Sequence, residues 1–405
     1  MTKTFKFAAH NVARNKRRTL ITLATIIVGL CAINVGRGIF SGMQKESQLS
    51  LTEGRTGEIQ IHKKGYFEAS NLDSLKYSIA DFSSLREKIK GMDGIQELAG
   101  RIQFGGLLAK GDETAVVVFC RAVDPAKELK VCPRIRENII EGAFLSEEIA
   151  QGAVIASGLQ KGVKAKIGDD VIIVSNTKDG YQNAIEVEIV GIIEEKAAQA
   201  NQRLVYLSIE KAQELLYMQD EVTEIVIKTS GNVDLGKQRE MLDRQLGDKD
   251  LESNTWEIVA PFFVDIMKKQ DMVLFALCII FFFIVITSIT NTMILTIFER
   301  KREIGTMMAI GIKTKQVTRL IIAESFIIGV IGSILGILIS LAIIMILNNT
   351  GLNYKPPTGT TLVTIYPLIN PKFMLLSLVL GVLSAVFASI YPARKVLQMD
   401  PIEAL

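Results

Sequence analysis

The sequence has little of what bond-making chemistry requires. It contains two histidines, His10 and His62, which share no motif. No H-E-x-x-H, C-x-x-C or G-x-S-x-G string occurs, and no G-x-x-x-x-G-K-[ST] loop is present to cradle nucleotide phosphates. The carboxylate pairs Glu147-Glu148 and Glu194-Glu195 are adjacent in sequence, so they face apart in a strand or helix and make poor acid–base partners. The chain is therefore expected to perform no bond chemistry itself and to hold no metal or cofactor. A net charge of +3 is too small to point to nucleic acid. Cysteines number four. Cys31 and Cys278 lie in apolar runs as packing residues. Cys120 and Cys132 lie in the polar middle, where they are either a disulfide, if that region is exported, or two buried free thiols.

What is abundant is hydrophobic residues, 49% of the chain, gathered into four runs. The first, Thr19–Val35, follows Met1–Arg18, which carries six cations and no acid. That segment resembles a signal-peptide n-region, but no A-x-A site follows, so a retained first span is expected. Arg37, near its end, is expected to snorkel to the interface; the alternative is a helix that continues outward and lines a cavity. The second span, about Met272–Phe298, is preceded by Pro261 at a helix start and measures about 40 Å at about 1.5 Å per residue, so it should tilt or project beyond the membrane. Its Thr287, Ser288, Thr290, Asn291 and Thr292 are expected to bond a neighbouring helix. The third, about Val317–Leu347, holds Glu324, expected to pair with Lys315 or Arg319, and a Gly329, Gly332, Gly336 series that permits close helix approach. The fourth, Phe373–Ile390, has the small step Gly381/Ala385 and is expected to end at Tyr391-Pro392. Cations cluster at the N-terminus, in Arg300–Arg319 and at Arg394-Lys395, which places both termini in the cytoplasm.

Residues 41–270 have a soluble protein's pattern. Gly57–His62, Thr114–Val123, Gly152–Ala156, Val171–Ser175, Ile185–Glu194, Leu204–Leu207 and Thr223–Thr229 read as strands, with Lys178-Asp179-Gly180 as a turn. Asp81–Lys90, Ile209–Met218 and Asp234–Leu246 read as helices, with Asp81 and Ser208 as N-caps. The fold expected is a membrane α-helical protein with four transmembrane helices and a large extracytoplasmic α+β domain containing a β-rich subdomain.

Between the second and third spans lies ERKREIGTMMAIGIKTK, residues 299–315. Ile304, Met307 and Met308 share a helical face, and Gly311 stands where a C-terminal cap glycine would stop that helix. A short helix held between spans should need a partner for its apolar face, so this stretch is the candidate coupling helix; the plainer reading is a basic loop that sets topology.

This stretch, the tail YPARKVLQMDPIEAL (Tyr391–Leu405) and the GVKAKIGDDVIIV block (Gly162–Val174), set in a one-span, large-domain, three-span layout, resemble the ABC transporter permease superfamily of macrolide exporters, lipoprotein-releasing permeases and cell-division permeases. The length and the GEIQIHKKGYF stretch (Gly57–Phe67) are most similar to the lipoprotein-releasing type. The resemblance implies a multi-pass protein of the cytoplasmic (inner) membrane, divided into 1–40 (first span), 41–270 (outer domain), 271–298 (second span), 299–315 (coupling helix), 316–347 (third span), 348–371 (outer loop) and 372–405 (fourth span and tail). It implies two copies of a cytoplasmic ABC ATPase holding ATP and Mg, a second permease chain, membrane lipids, a lipoprotein or other amphipathic cargo and a periplasmic acceptor. It also implies mechanotransmission, with Glu299, Arg300, Arg302, Glu303, Ile304, Gly305, Met307, Met308, Ala309 and Gly311 as ATPase-coupling positions and Ile33, Ile39, Phe40, Phe262 and Phe263 as cargo-facing ones. The alternative function is a signalling permease that regulates an extracytoplasmic enzyme or receptor and moves nothing.

Overall fold

A computed structural model describes residues 2–14, 16–67, 74–111, 115–149, 151–195, 198–231, 233–247, 250–354 and 363–397. Its helices are α1 (Thr2–Arg14), α2 (Lys16–Leu51), α3 (Phe82–Lys90), α4 (Pro125–Val131), α5 (Ser157–Val163), α6 (Ala198–Asn201), α7 (Ile209–Leu216), α8 (Leu235–Leu246), α9 (Trp256–Val259), α10 (Pro261–Glu299), α11 (Lys301–Ala309), α12 (Thr314–Thr350) and α13 (Pro371–Leu397). Its strands are β1 (Ile59–Lys63), β2 (Ile95–Ala109), β3 (Val116–Val123), β4 (Ile139–Gly142), β5 (Gly152–Ala156), β6 (Asp170–Asn176), β7 (Gln182–Ile193), β8 (Leu204–Ser208), β9 (Glu224–Thr229), β10 (Leu251–Thr255), β11 (Leu352–Tyr354) and β12 (Val363–Ile365). Two compact units result: a helical unit of Met1–Lys45, Ile266–Tyr354 and Thr364–Leu405, and a sheet unit of Glu46–Asp265 and Lys355–Val363.

Among the described residues, four helices are long and apolar enough to cross a membrane: Thr19–Thr56, Pro261–Glu299, Thr314–Thr350 and Pro371–Lys395. They outrun the hydrophobic runs that announced them. α10 has 39 residues, about 58 Å at about 1.5 Å per residue, against a hydrocarbon core of about 30 Å. α2 does not end near residue 40 but continues to Leu51. Polar side chains along it find partners within the helical unit. Asn34 Nδ2 donates to Ser377 Oγ at 3.0 Å, and Arg37 Nη1 meets Asp271 Oδ1 at 2.6 Å, so Arg37 is paired rather than merely snorkelling.

The small residues do the work expected of them. A Cβ on Gly336 would sit 3.1 Å from Leu30 Cβ, one on Gly332 3.0 Å from Ile26, and one on Gly329 2.8 Å from Ala385 Cβ. A Cβ on Gly381 would collide with Ser333 Oγ, so both small-residue steps are close helix contacts. Ser288 bonds Thr25 across helices (3.3 Å), and Thr290 donates to Ala388 O (3.0 Å); Thr287 and Thr292 bond back within α10 instead. α13 passes through Pro392 to Leu397, correcting the expected stop at Tyr391-Pro392.

In the sheet unit ten strands form one sheet, ordered β10-β1-β9-β2-β3-β8-β5-β7-β4. β6 pairs with both β7 and β2, which closes the path β2-β3-β8-β5-β7-β6 into a six-stranded ring. The expected β-rich subdomain is this ring, and it shares the 15-residue β2 with the flatter remainder. The first part of β2 pairs with β9 and its last residues pair with β6. β2 was not expected as a strand because its glycines lower strand propensity. Gly106 has a physical reason: a Cβ there would lie 2.9 Å from Val174 O, on the approaching β6 backbone.

The alternation of β7 sets the ring's interior. Ile185, Val187 and Ile189 are buried while Glu186 and Glu188 are exposed. They join Ile102, Phe104, Val118, Val171 and Ile173 in one core. A second core packs α3 and α8 on the open sheet through Leu85, Ile89, Leu242 and Leu246 against Ile59, Ile61 and Ile225. Ser208 caps α7 through Lys211 N, and Asp234 caps α8. Asp81 caps nothing with its side chain. It sits at φ 51°, and the Asp220 carboxylate accepts from Ser83 N instead, at 3.0 Å.

Cys120 and Cys132 are both free. They belong to different core clusters, Cys120 inside the ring and Cys132 at the end of α4, which corrects the disulfide alternative in favour of two buried thiols.

Candidate coupling region

α11 exists because the chain breaks on both sides of it. Arg300 leaves helical geometry (φ −100°, ψ 14°) and begins the new helix. At the other end Gly311 takes φ +96°, Gly311 N bonds Met308 O (3.0 Å) and Ile312 N bonds Met307 O (3.1 Å). That is a Schellman termination with glycine at its left-handed position, as the sequence led us to expect.

The apolar face is turned inward. Ile304 is 5% exposed and lies in a cluster with Ile297, Val317, Ile321 and Ala393, with Met307 and Met308 half-buried against it. The expectation that this face awaits an outside partner is therefore corrected: the chain's own long helices cover it. Gly305 is buried with it. What faces outward is the opposite side and the terminating turn: Glu299, Arg302, Glu303, Thr306, Gly311, Ile312 and above all Ile310, an aliphatic residue 79% exposed. Of Ala309 the structure describes the helical backbone.

Three ion pairs bind α11 into the helical unit. Arg300 Nε lies 2.8 Å from Glu303 Oε2, and its Nη1 lies 3.4 Å from Glu324 Oε1 on α12. Arg14 Nη2 reaches Glu303 Oε1 at 2.8 Å from α1. Burial works against the charge on Arg300, but Glu303 and Glu324 outweigh it and hold its pKa above the ordinary value. Arg300, with Arg14 behind it, holds the Glu303 carboxyl below its usual range. Glu324 also accepts from Asn11 Nδ2 at 2.7 Å.

Glu324 thus does not use Lys315 or Arg319. Nine and five residues away on the same helix, those two point about 180° and 140° from it and are exposed. Sequence reasoning gave Asn11 and Arg14 no partner, because it treated their segment only as cations that set the orientation of the first span. The available signal was the helical spacing of Phe5, Ala8 and Val12; Ala8 is fully buried and Phe5 stands edge to face with Phe326 at 6.0 Å.

The cargo-facing candidates fall on two helices. Ile33, Ile39 and Phe40 are half-buried on α2. Phe262 is 71% exposed at the start of α10, its ring edge to face with half-buried Phe263 at 6.2 Å.

Comparison with known proteins agrees with this architecture. Residues 275–401 match the FtsX-like permease C-terminal family, and residues 19–244, more than half of the chain, match the MacB-like periplasmic core domain. An uncharacterized ABC transporter permease of Methanocaldococcus jannaschii is 22% identical over 98% of this chain and 96% of its own length. The macrolide export ATP-binding/permease protein MacB of Campylobacter jejuni is 21% identical over 99% of this chain but 61% of its own length, so the chain spans about three-fifths of that relative. The crystal structure of the periplasmic region of MacB from Actinobacillus actinomycetemcomitans covers 54% of this chain and 97% of that one, with 13% identity and a TM-score of 0.38. With a MacB-like match over its first apolar helix and most of the sheet unit, and an FtsX-like end, the chain belongs to the MacB/FtsX family of ABC transporter permeases.

Proposed function

We propose that this chain is the membrane half of a mechanotransmission machine that uses ATP hydrolysed by a partner to act on a lipidated or otherwise amphipathic cargo. Two cytoplasmic ABC ATPase subunits, holding ATP and Mg, bear on the turn that ends α11, and a second permease chain completes the assembly. The clustering of cations puts that turn and both termini on the cytoplasmic side. The observation that carries the reading is the clamp at Arg300, which ties α11 to α12 by side chains, while α10 enters it directly from the other side. A push on the exposed Ile310 turn is passed to helices long enough to extend beyond the bilayer. Exposed Phe262 and the apolar face of α2 are the cargo contacts in this scheme, and a periplasmic acceptor receives what is released.

Ile310→Glu in the reconstituted complex tests the reading. Ile310 touches little of its own chain, so thermal unfolding should stay within about 0.5 kcal/mol of wild type. Cargo-dependent ATPase activity should fall at least tenfold. Met308→Glu should instead lower stability by about 2 kcal/mol, because it sets a carboxylate against a packed apolar cluster. Wild-type coupling in Ile310→Glu would refute the assignment. A photo-crosslinking residue at Phe262 that captures no cargo while ATPase coupling persists would favour the signalling permease.

A further inference from the structure

The sheet unit buries a row of ionisable side chains, and they are not equally satisfied. Arg101 is fully enclosed and saturated. Its Nε and Nη2 donate to the two oxygens of Glu128 (2.9 and 2.6 Å), and its Nη1 donates to Glu224 Oε1 (3.0 Å) and to Arg55 O (2.7 Å). Arg121, 6% exposed, donates from Nη1 to Tyr206 Oη at 3.2 Å, and its buried Nε has no acceptor among the described residues. The Arg55 guanidinium has neither an ion pair nor a hydrogen bond among the described residues. It projects from the π-helical turn Thr52–Thr56, an irregular geometry that often marks functional positions.

Both arginines line one cavity of about 180 Å³. Its wall is completed by polar Tyr66, Ser74 and Gln103 and by apolar residues of β2, β3, α6 and β8, and among the described residues no aspartate or glutamate lines it. Burial, and then the charge of Arg121, lower the pKa of Arg55 by more than Glu195 and Glu224, which pair with neither arginine, can raise it. Two guanidiniums, one half-buried and one buried, that face the same cavity repel each other, and an anion between them would offset that cost. The volume exceeds the about 150 Å³ that admits a benzene ring, so a phosphate or a small carboxylate fits while a folded peptide does not. The planar guanidinium fork matches the oxygens of such a group two at a time.

We propose that Arg55 and Arg121 form a binding site in the sheet unit for a small oxyanion, a phosphate or a carboxylate. The site is separate from the coupling turn and stands whether or not that turn meets an ATPase.

The chain has one tryptophan, Trp256, 5% exposed within the sheet unit, so its fluorescence reports unfolding of this unit in the full-length, detergent-solubilised protein. Inorganic phosphate, titrated at constant ionic strength with chloride as the balance, should raise the melting midpoint by several degrees, continuing logarithmically above Kd. Acetate forms the second arm: a response to acetate with none to phosphate assigns a carboxylate ligand, and the reverse assigns phosphate. Arg55→Gln removes a half-buried side chain that bonds nothing, so it should fold, and it should weaken binding at least tenfold. Arg121→Lys should do the same; if it fails to fold, Arg55→Gln decides alone. No response to either anion, or an equal response in Arg55→Gln, overturns the site.

Discussion

Thr290 Oγ1 donates to Ala388 O, the carbonyl that Pro392 leaves without its helical partner. Residue 388 stands four before the proline, whose missing N–H would otherwise have accepted this role as donor, so α13 continues to Leu397 because α10 supplies the missing hydrogen. Thr290→Val keeps the shape and removes the donor. It should lower helical-unit stability by about 1 kcal/mol in detergent melts followed by helical circular dichroism. An unchanged melt would mean that water or another group serves the carbonyl.

Arg300→Ala should cost about 3 kcal/mol, because Glu324, 6% exposed, loses the guanidinium that lies 3.4 Å from its buried carboxylate. Adding Glu324→Gln should recover most of that loss. A single variant as stable as wild type would show that the pair is idle, and a double variant no more stable than the single would show that the loss does not come from the stranded Glu324 charge. In complexes with the ATPase, the single variant should also lose coupling.

Acid should unfold the sheet unit through Glu224. Burial alone would push its carboxyl up, but His62 Nε2 at 3.6 Å and the guanidiniums of Arg101 and Arg121 outweigh burial and hold it well below its ordinary 4.5. A depressed folded pKa contributes stability that is complete above the unfolded value and is lost as pH falls toward the folded one. The Trp256 melt should therefore stay level from pH 7 to about 5 and decline below about 4.5. Glu224→Gln should flatten part of that decline and be about 3 kcal/mol less stable at pH 7, since Arg101 loses one of its two carboxylates.

Thiol labelling of folded protein should give the same slow modification of Cys120 and Cys132 with or without reductant. Burial pushes both thiols up, Cys132 to about 11, so little thiolate exists at neutral pH. Labelling that appears only after reduction would restore the disulfide.

Much of the fold was legible because it rests on local rules. Hydrophobic runs, the β7 alternation and the cap residues Ser208 and Gly311 each act within a few residues of themselves, so the sequence alone determined four long apolar helices, a sheet-rich domain after the first of them and a short helix between the second and third. Tertiary structure decided what those elements meet. β2 is a strand despite its glycines because β6 needs the room they leave. Ile304 and Met308 face inward because α10 and α12 converge over them. Glu324 pairs with Arg300 and Asn11, which are remote in the chain and near only once three helices have packed. Periodicity says which side of a helix is apolar, but only the packed neighbours determine whether that side is already covered, and so the large apolar residue most exposed at the end of α11 is Ile310.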